Sequence, residues 1–329
     1  MSTLRIGILS TADIARRKVV PGMRKASRVE VVAIASRDPG RARRVAAELG
    51  ISSAHDSYES LLADPQVDAV YIPLPNNLHA QWTIAAARAG KHVLCEKPLA
   101  MTSADAQEMV DVCRAEGVRL MEAFMYRLHP SWVAARELLA GGRIGQLTAI
   151  QSWFSYHNDD PANIRNIRAA GGGALYDIGC YQVNLSRMLF ESEPTRIEAS
   201  VIRDPQTGVD VVTSAVLEFG DRVSAFTSSI RAEDDQQVHV YGTRGRLSIA
   251  IPFNIPPDRP TQVVITAGGD PPVAPASEVL TFGTADPYAV ETERFAEAIL
   301  DDLPTPVPPE DAVANLRVME RIFEVGERR

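Results

Sequence analysis

Apolar, strand-like segments alternate with helix-like segments through about the first 120 residues, and this alternation constrains the fold more than any other feature. The segments 4–9 (LRIGIL), 29–35 (VEVVAIA), 67–72 and 92–95 are predicted strands, each followed by helix-like sequence. Strands separated by helices in this way form a parallel sheet with helices on both faces. We therefore predict a doubly wound α/β domain over residues 1–125. Ligands of such sheets bind outside the carboxyl ends of the strands.

The pattern changes after Pro130. A helix over 131–140 and a long strand over 147–156 are followed by a glycine run, 171–173, and a helix to about Phe190. Further strands without intervening helices are then predicted at 195–203, 209–219, 222–231, 236–241, 246–251 and 262–267. Such a run indicates a large, open, mostly antiparallel sheet. We predict an α+β domain over 126–329, closed by helices at 287–300 and 309–326, with the C-terminal helix able to pack on the first domain.

Composition excludes several classes of protein. Of the 329 residues, 45% are apolar and 23% charged, which is typical of a folded globular chain. The net charge of -8 argues against a general nucleic-acid binder. No apolar run approaches the ~20 residues that span a bilayer and no signal peptide precedes the first strand, so we expect a cytoplasmic protein with no membrane partner. The three cysteines form no CxxC pair, which argues against a disulfide framework or a metal site.

The charge is unevenly distributed. Residues 1–50 carry eleven Lys and Arg against four Asp and Glu, a net +7, which leaves -15 for the remainder. A basic N-terminal region on an acidic protein suits a small anion with several charges, such as a dinucleotide phosphate. Solvated helix faces would account for part of these charges.

The turn after the first strand carries a degenerate dinucleotide-binding pattern. A dinucleotide fold places G-x-G-x-x-G/A here, so that the backbone approaches the pyrophosphate at a helix N-terminus. This chain has a serine and an alanine at the first two glycine positions. The position between a strand and a helix nevertheless favours cofactor binding. The predicted contacts are Ser10, Thr11, Ala12, Asp13 and Ile14.

The end of the second strand indicates which dinucleotide is bound. An enzyme that uses NAD usually has Asp or Glu there to hold the ribose 2′-hydroxyl. Here the residues are Ser36 and Arg37, with Arg41 one turn further on. A hydroxyl and guanidinium groups suit a 2′-phosphate, so the sequence predicts NADP rather than NAD. The alternative is that Arg37 is only a surface residue.

Two further segments carry candidate catalytic residues. Lys97 lies between Glu96 and Pro98 at the end of a strand, and a partly buried lysine can donate or accept a proton or stabilise an alkoxide. Asp177 and Tyr181 are four residues apart near the start of a helix, so they are predicted to share a face, with Asn184 next along it. A tyrosine hydroxyl beside a lysine ammonium is a reasonable proton relay for hydride transfer. A lone Lys-Pro pair is more often structural, and a tyrosine on a helix is more often a core residue.

Taken together, these segments resemble the glucose–fructose oxidoreductase/inositol dehydrogenase (Gfo/Idh/MocA) family. The matching stretches are 7–15, 71–79 (YIPLPNNLH), 96–99 (EKPL), 122–130 (EAFMYRLHP), 163–165 and 171–181 (GGGALYDIGCY). The resemblance implies a Rossmann domain followed by a sheet domain that often mediates assembly into homodimers or homotetramers. Tyr181 is similar to the corresponding residue of dihydrodiol dehydrogenases, D-xylose dehydrogenases and sugar 3-ketoreductases, whereas inositol dehydrogenases have histidine there.

The resemblance also implies roles for individual residues. Lys97 and Tyr181 would handle the proton, with Asp177 orienting the substrate or Lys97. Cofactor contacts are expected from the strand-end residues Pro73, Leu74, Asn76 and Glu96, and His79 and Arg127 would lie by the nicotinamide half. Substrate contacts are expected from Trp153, Phe154, His157, Arg165 and Asn184.

We therefore predict an NADP-dependent oxidoreductase that transfers a hydride to or from the carbinol carbon of a sugar, polyol or cyclic trans-diol. A reductase of 3-keto-sugars that are activated or linked to a nucleotide is the alternative within enzymes. A non-catalytic, NADP-sensing regulator on the same fold is the alternative of another class. The combination of Lys97, Asp177 and Tyr181 argues against it, because a sensor needs no proton relay.

Overall fold

The computed structural model describes residues 2–268 and 277–327, and the chain divides into two compact units. The first unit contains the chain up to Met125 together with Asp286–Val313. The second contains Tyr126–Ala285 and the chain from Ala314 onward. A late segment of the sequence therefore returns to the first unit.

A six-stranded parallel sheet forms the centre of the first unit, with the order β3-β2-β1-β4-β5-β6. Its strands are β1 (Leu4–Leu9), β2 (Val29–Ala35), β3 (Ser53–His55), β4 (Ala69–Ile72), β5 (His92–Glu96) and β6 (Leu120–Ala123). Its helices are α1 (Val20–Met23), α2 (Pro39–Leu49), α3 (Tyr58–Leu62), α4 (His79–Arg88), α5 (Ser103–Ala115) and α8 (Pro287–Leu300). The central strands consist of apolar residues because helices cover both faces of the sheet. The predicted doubly wound domain is confirmed.

Close packing in this unit depends on two glycines. A Cβ atom at Gly7 in β1 would lie 2.7 Å from Cδ2 of Leu61 in α3. A Cβ atom at Gly22 in α1 would lie 2.6 Å from the Cβ atom of Tyr288 in α8. The lack of a side chain at Gly7 allows α3 to pack closely on β1, and the lack of one at Gly22 allows α8 to pack closely on α1.

The second unit contains an eight-stranded sheet with the order β14-β13-β12-β11-β7-β10-β9-β8. Its strands are β7 (Leu147–His157), β8 (Arg196–Arg203), β9 (Asp210–Phe219), β10 (Arg222–Ser229), β11 (Arg231–Gly242), β12 (Gly245–Ala250), β13 (Thr261–Ala267) and β14 (Ser277–Phe282). Neighbouring strands are antiparallel except for the parallel pair β7 and β10. The predicted open, mostly antiparallel sheet is confirmed, with β14 as an additional edge strand.

Two helices of the second unit are α6 (Pro130–Ala140) and α7 (Cys180–Phe190), and α9 (Pro309–Gly326) continues from the first unit into the second. A π-helical turn, Leu175–Gly179, leads into α7. The preceding glycines are required by close contacts: a Cβ atom at Gly172 would lie 2.4 Å from the carbonyl oxygen of Arg165, and one at Gly173 would lie 2.0 Å from Oδ1 of Asp210. The glycine run therefore fixes the start of the helix that carries Tyr181.

In residues 2–268 and 277–327, no helix combines the length and the apolar character that crossing a membrane requires.

Candidate functional site

The loop after β1 is stabilised by its own serine. The Oγ atom of Ser10 accepts a hydrogen bond from the backbone N–H of Ala12 at 3.0 Å. The guanidinium of Arg41, from α2, donates to the carbonyl oxygen of Thr11 at 3.3 Å. A hydroxyl and an arginine therefore hold the loop in which glycines are usual, and the arginine joins it to the start of α2.

The end of β2 presents cationic groups at the carboxyl edge of the sheet. Asp38 caps α2 by accepting from the backbone N–H of Arg41 at 3.0 Å, so this carboxylate is directed to the helix N-terminus. Ser36 accepts from the backbone N–H of Asp38 at 3.2 Å. The side chains of Arg37 and Arg41 are exposed. This donor set fits the 2′-phosphate of a dinucleotide.

His79 connects the loops that follow β4 and β5. Its ring is fully buried, with Nε2 at 2.8 Å from the carbonyl oxygen of Leu74 and Nδ1 at 2.9 Å from that of Pro98. Burial lowers the pKa of the imidazole. Both nitrogens are thus used within the fold. His79 therefore positions the backbone next to Lys97, and its place by the nicotinamide half stays a prediction.

Lys97 lies in a segment that is fixed on both sides. Before it, the hydroxyl of Tyr71 donates to Oε1 of Glu96 at 2.5 Å. After it, the backbone N–H of Leu99 donates to Oε1 of Glu122, which is buried, at 2.7 Å. The side chain of Lys97 is half-buried at the carboxyl end of β5. These bonds hold the neighbours of Lys97 in place at the edge of the sheet where ligands of parallel sheets bind.

In the second unit, three side chains form what we call the Asp177 cluster: Tyr156, Arg165 and Asp177. Oδ2 of Asp177 accepts from the hydroxyl of Tyr156 at 2.5 Å and from Nε of Arg165 at 2.9 Å. The negative charge of Asp177 raises the pKa of Arg165, and burial together with that charge raises the pKa of Tyr156. The phenol of Tyr156 therefore stays protonated as a donor to Asp177, which suits positioning rather than proton exchange.

Tyr181 lies in an aromatic environment. Its ring centroid is 5.3 Å from that of Phe253, and 5.9 Å from those of Phe154 and Tyr126. Asn184 is fully buried one turn later, where its Oδ1 accepts from the hydroxyl of Tyr126 at 2.7 Å. Asn184 thus supports Tyr126, and its contact with substrate stays a prediction.

The alternation of side chains along β7 separates the residues expected at the substrate. Phe154 and Tyr156 are directed to the face on which Tyr181 and Asp177 lie. Trp153, which is 39% exposed, and the exposed His157 point to the opposite face by the same alternation. The structure therefore brings Phe154 to Tyr181 but does not bring Trp153 or His157 there. Tyr156, which no sequence pattern indicates, lies on the face of Tyr181 and Asp177.

The remaining sequence candidates are distributed over the loops. Pro73 and Leu74 are buried and Asn76 is half-buried in the turn after β4, and Arg127 is half-buried in the turn Met125–Leu128. The cysteines Cys95, Cys113 and Cys180 are free and buried. Among the residues that the structure describes, no three His, Cys, Asp or Glu side chains are grouped so that they could hold a metal ion.

Comparison with known proteins identifies matches along both units. Residues 4–124 match the model of the GFO/IDH/MocA oxidoreductase family with an NAD-binding Rossmann fold, and residues 132–248 match the C-terminal domain of that family. The chain is 42% identical over 326 residues to the NADP(+) D-xylose 1-dehydrogenase 2 of Haloferax volcanii, covering 98% of each chain. It is 36% identical over 248 residues to the trans-1,2-dihydrobenzene-1,2-diol dehydrogenase of Mus musculus, covering 75% of this chain and 74% of the relative.

A solved structure of similar fold is a 3-ketoreductase from Actinomadura kijaniata in complex with NADP and TDP-benzene. It superimposes with a TM-score of 0.90 at 30% identity and covers 98% of each chain.

Proposed function

Because the chain belongs to the GFO/IDH/MocA oxidoreductase family, we propose that it is an NADP-dependent dehydrogenase or reductase of a secondary alcohol or carbonyl carbon. Its substrate is a sugar, polyol or cyclic trans-diol. The 42% identity to an NADP(+) D-xylose dehydrogenase along 98% of both chains carries this proposal. The fold similarity to a 3-ketoreductase supports a reductase of nucleotide-linked 3-keto-sugars as the second candidate.

The proposed cofactor contacts lie at the strand ends of the first unit. The exposed Arg37 and Arg41 bind the 2′-phosphate, and the loop Ser10–Ile14 faces the pyrophosphate. The nicotinamide, when bound, supplies the acceptor or donor of hydride. The residues after β4 and β5, including Asn76 and Glu96, hold its neighbourhood, with Arg127 as a further contact.

The proposed chemistry of the protein is proton handling and positioning. Tyr181 takes the proton of the substrate hydroxyl during oxidation, and Lys97 stabilises the oxygen as it becomes alkoxide-like. In reduction the proton moves the opposite way. Asp177 fixes Arg165 and Tyr156 through the bonds described above, and these side chains orient the substrate hydroxyls. Phe154 packs against Tyr181 and restricts its ring.

We further propose a cytoplasmic homodimer or homotetramer that associates through the open sheet. One face of that sheet carries a concavity of about 610 Å³, lined by residues that include Trp153, Val216 and Thr227. Trp153 and Val216 are each 39% exposed there. Apolar side chains exposed together on one face are typical of an interaction surface.

A spectrophotometric screen at the absorbance band of the reduced nicotinamide tests the reaction. D-xylose, D-glucose, myo-inositol and a cyclic trans-diol are each offered with NADP⁺ and with NAD⁺. Reduction of NADP⁺ by any of them supports the dehydrogenase. Binding of NADP⁺ without turnover on this panel favours the 3-keto-sugar reductase, which is then assayed with a nucleotide-linked keto-sugar and NADPH. No turnover in either assay would contradict the enzyme proposal and favour the regulator.

The catalytic role of Lys97 has its own test. Lys97→Ala should lower kcat by about a thousandfold, which is within the range of general acid–base catalysis, while the dissociation constant of NADP⁺ measured by calorimetry changes little. Lys91→Ala is the control, since Lys91 instead donates to the carbonyl oxygens of Asp64 and Val67. Unchanged turnover of Lys97→Ala would remove Lys97 from the mechanism.

A further inference from the structure

Arg231, the first residue of β11, connects the sheet of the second unit to the loop that follows β7. Its Nη1 donates to the carbonyl oxygen of Asn158, at the start of that loop, and to that of Ile230 at 3.1 Å. Its Nη2 donates to Oδ1 of Asn166 at 2.9 Å and lies 3.5 Å from a carboxylate oxygen of Asp204. One guanidinium therefore binds both ends of the loop 158–166.

Asn166 forms the other side of this connection. It is 3% exposed, and its Nδ2 donates to Oδ1 of Asn158 at 3.1 Å and to the carbonyl oxygen of Asp160 at 2.8 Å. The bond from Arg231 gives its Oδ1 a partner as well, which a buried amide requires. Side-chain hydrogen bonds from two residues therefore fix the course of the loop.

Arg165 immediately precedes Asn166, and its backbone is fixed together with the loop. Its N–H donates to Oδ1 of Asn163 at 3.1 Å, and its carbonyl oxygen accepts from the N–H of Gly173 at 2.9 Å. Its Nε donates to Asp177, and 42% of its side chain is exposed. Within residues 2–268 and 277–327, Nη1 and Nη2 of Arg165 donate no hydrogen bond. These two donor groups are therefore held in place and can bind the oxygen atoms of a ligand.

We propose that Arg231 is a positioning residue for the substrate. By holding Asn158 and Asn166, it fixes the loop that directs Nη1 and Nη2 of Arg165 toward substrate hydroxyl groups away from the reacting carbon. This inference rests on the proposed role of Arg165 in orienting the substrate. An arginine that must be ordered during binding weakens the affinity, and here the loop orders it beforehand. Because these hydroxyl groups do not react, the contact acts on KM and leaves kcat nearly unchanged.

The experiment uses steady-state kinetics of Arg231→Lys. Lysine keeps the charge beside Asp204 but lacks the planar fork that reaches both ends of the loop. The compounds are D-xylose, D-glucose, myo-inositol and a cyclic trans-diol with NADP⁺, and a nucleotide-linked keto-sugar with NADPH. For each compound that the unmodified protein turns over, we expect KM to rise about tenfold and kcat to change by less than about twofold. The dissociation constant of NADP⁺ should not change. Arg244→Lys is the matched control, since Arg244 donates to the carbonyl oxygen of Gly142 in a different turn.

Two further variants test the connection itself. Asn166→Ala removes the loop's end of the bond to Arg231 and should raise KM in the same way, so it also serves if Arg231→Lys does not fold. Arg165→Ala should raise KM on its own, and Arg231→Lys should add little to it in that background.

The outcomes separate this inference from the proposed function. If Arg165→Ala raises KM but Arg231→Lys and Asn166→Ala do not, or if their effects add fully to that of Arg165→Ala, the positioning role of Arg231 is overturned and the proposed function stands. The same conclusion holds if Arg165→Ala leaves KM unchanged. If the unmodified protein turns over none of the compounds, the proposed function fails and the inference fails with it.

Discussion

Each unit contains a carboxyl group buried in its interior, and the two groups differ in the hydrogen-bond donors around them. Asp210 in the second unit is 1% exposed, and its Oδ2 accepts from the backbone N–H of Leu175 at 2.7 Å and from the hydroxyl of Thr213 at 2.8 Å. Glu291 in the first unit is 2% exposed, and its Oε1 has no hydrogen-bond partner in the part of the chain that the structure describes.

Burial raises the pKa of both groups, and for Glu291 the nearby charge of Glu96 raises it further, well above its ordinary value. Asp210 is therefore a structural group that anchors the turn leading to Tyr181. Glu291 is instead a neutral acid beside the segment that carries Lys97. A buried polar atom without a partner lowers stability, and such groups are concentrated at functional sites. Burial alone therefore does not assign a role to a carboxyl group, whereas its hydrogen-bond donors do.

The largest expected effect is on the free energy of unfolding, and it tests how closely Gly173 packs against Asp210. Gly173 has φ = +122° and its added Cβ atom would lie 2.0 Å from Oδ1 of Asp210. Gly173→Ala should lower the free energy of unfolding by about 3 kcal/mol, since strain and overpacking act together. Urea denaturation measures it. Gly90→Ala is the control, because Gly90 also has positive φ but no neighbour within 4 Å, and it should lose about 1 kcal/mol. Equal losses would show that the enclosure of Asp210 contributes nothing.

A smaller effect is expected from the hydrogen bonds of Asp210 themselves. Asp210→Asn keeps the shape, but a neutral amide oxygen accepts the two hydrogen bonds made to Oδ2 less strongly than a carboxylate oxygen does. The free energy of unfolding should fall by about 2 kcal/mol. Asp221→Asn, at an exposed turn, should be nearly neutral by the same urea titration. A loss no greater than that of the control would contradict the anchoring role.

The smallest expected effect is a gain in thermal stability that depends on pH. Because the pKa of Glu291 is higher in the folded than in the unfolded chain, the folded state binds the extra proton and stability falls as pH rises above the unfolded value. Glu291→Gln removes this titration. Its Tm relative to the unmodified protein should therefore rise between pH 5 and pH 8, by the equivalent of roughly 1 kcal/mol. Glu137→Gln, on an exposed face of α6, should show no such trend. A difference independent of pH would mean that Glu291 is charged in the fold.

The sequence was sufficient for the parallel sheet because its central strands are continuous apolar runs. It was not sufficient for β3 and α3, which contain three and five residues. Segments this short give no readable periodicity. Their contacts, such as the packing of Tyr58 in α3 against Trp82 in α4, are set by tertiary packing.

The prediction for Asp177 and Tyr181 assumed regular α-helical spacing. The π-helical turn Leu175–Gly179 has i→i+5 bonds, which changes the angle between residues four apart. Asp177 contacts Tyr156 and Arg165, whereas the ring of Tyr181 packs against Phe154 and Phe253. The local sequence does not predict that turn. The glycine before it, Gly173, lies close to Asp210, which belongs to a strand that comes later in the chain.

The return of α8 to the first unit has a consequence for biosynthesis. Gly22 in α1 leaves room for Tyr288 in α8. The ribosome adds Tyr288 only after the whole sheet of the second unit has been translated. During translation, the side of the first sheet that α8 covers therefore stays exposed until the sheet of the second unit has been synthesised. A fragment of the protein that ends at Met125 lacks α8 permanently. A minimal dinucleotide-binding fragment therefore has to join Asp286–Val313 to the chain up to Met125.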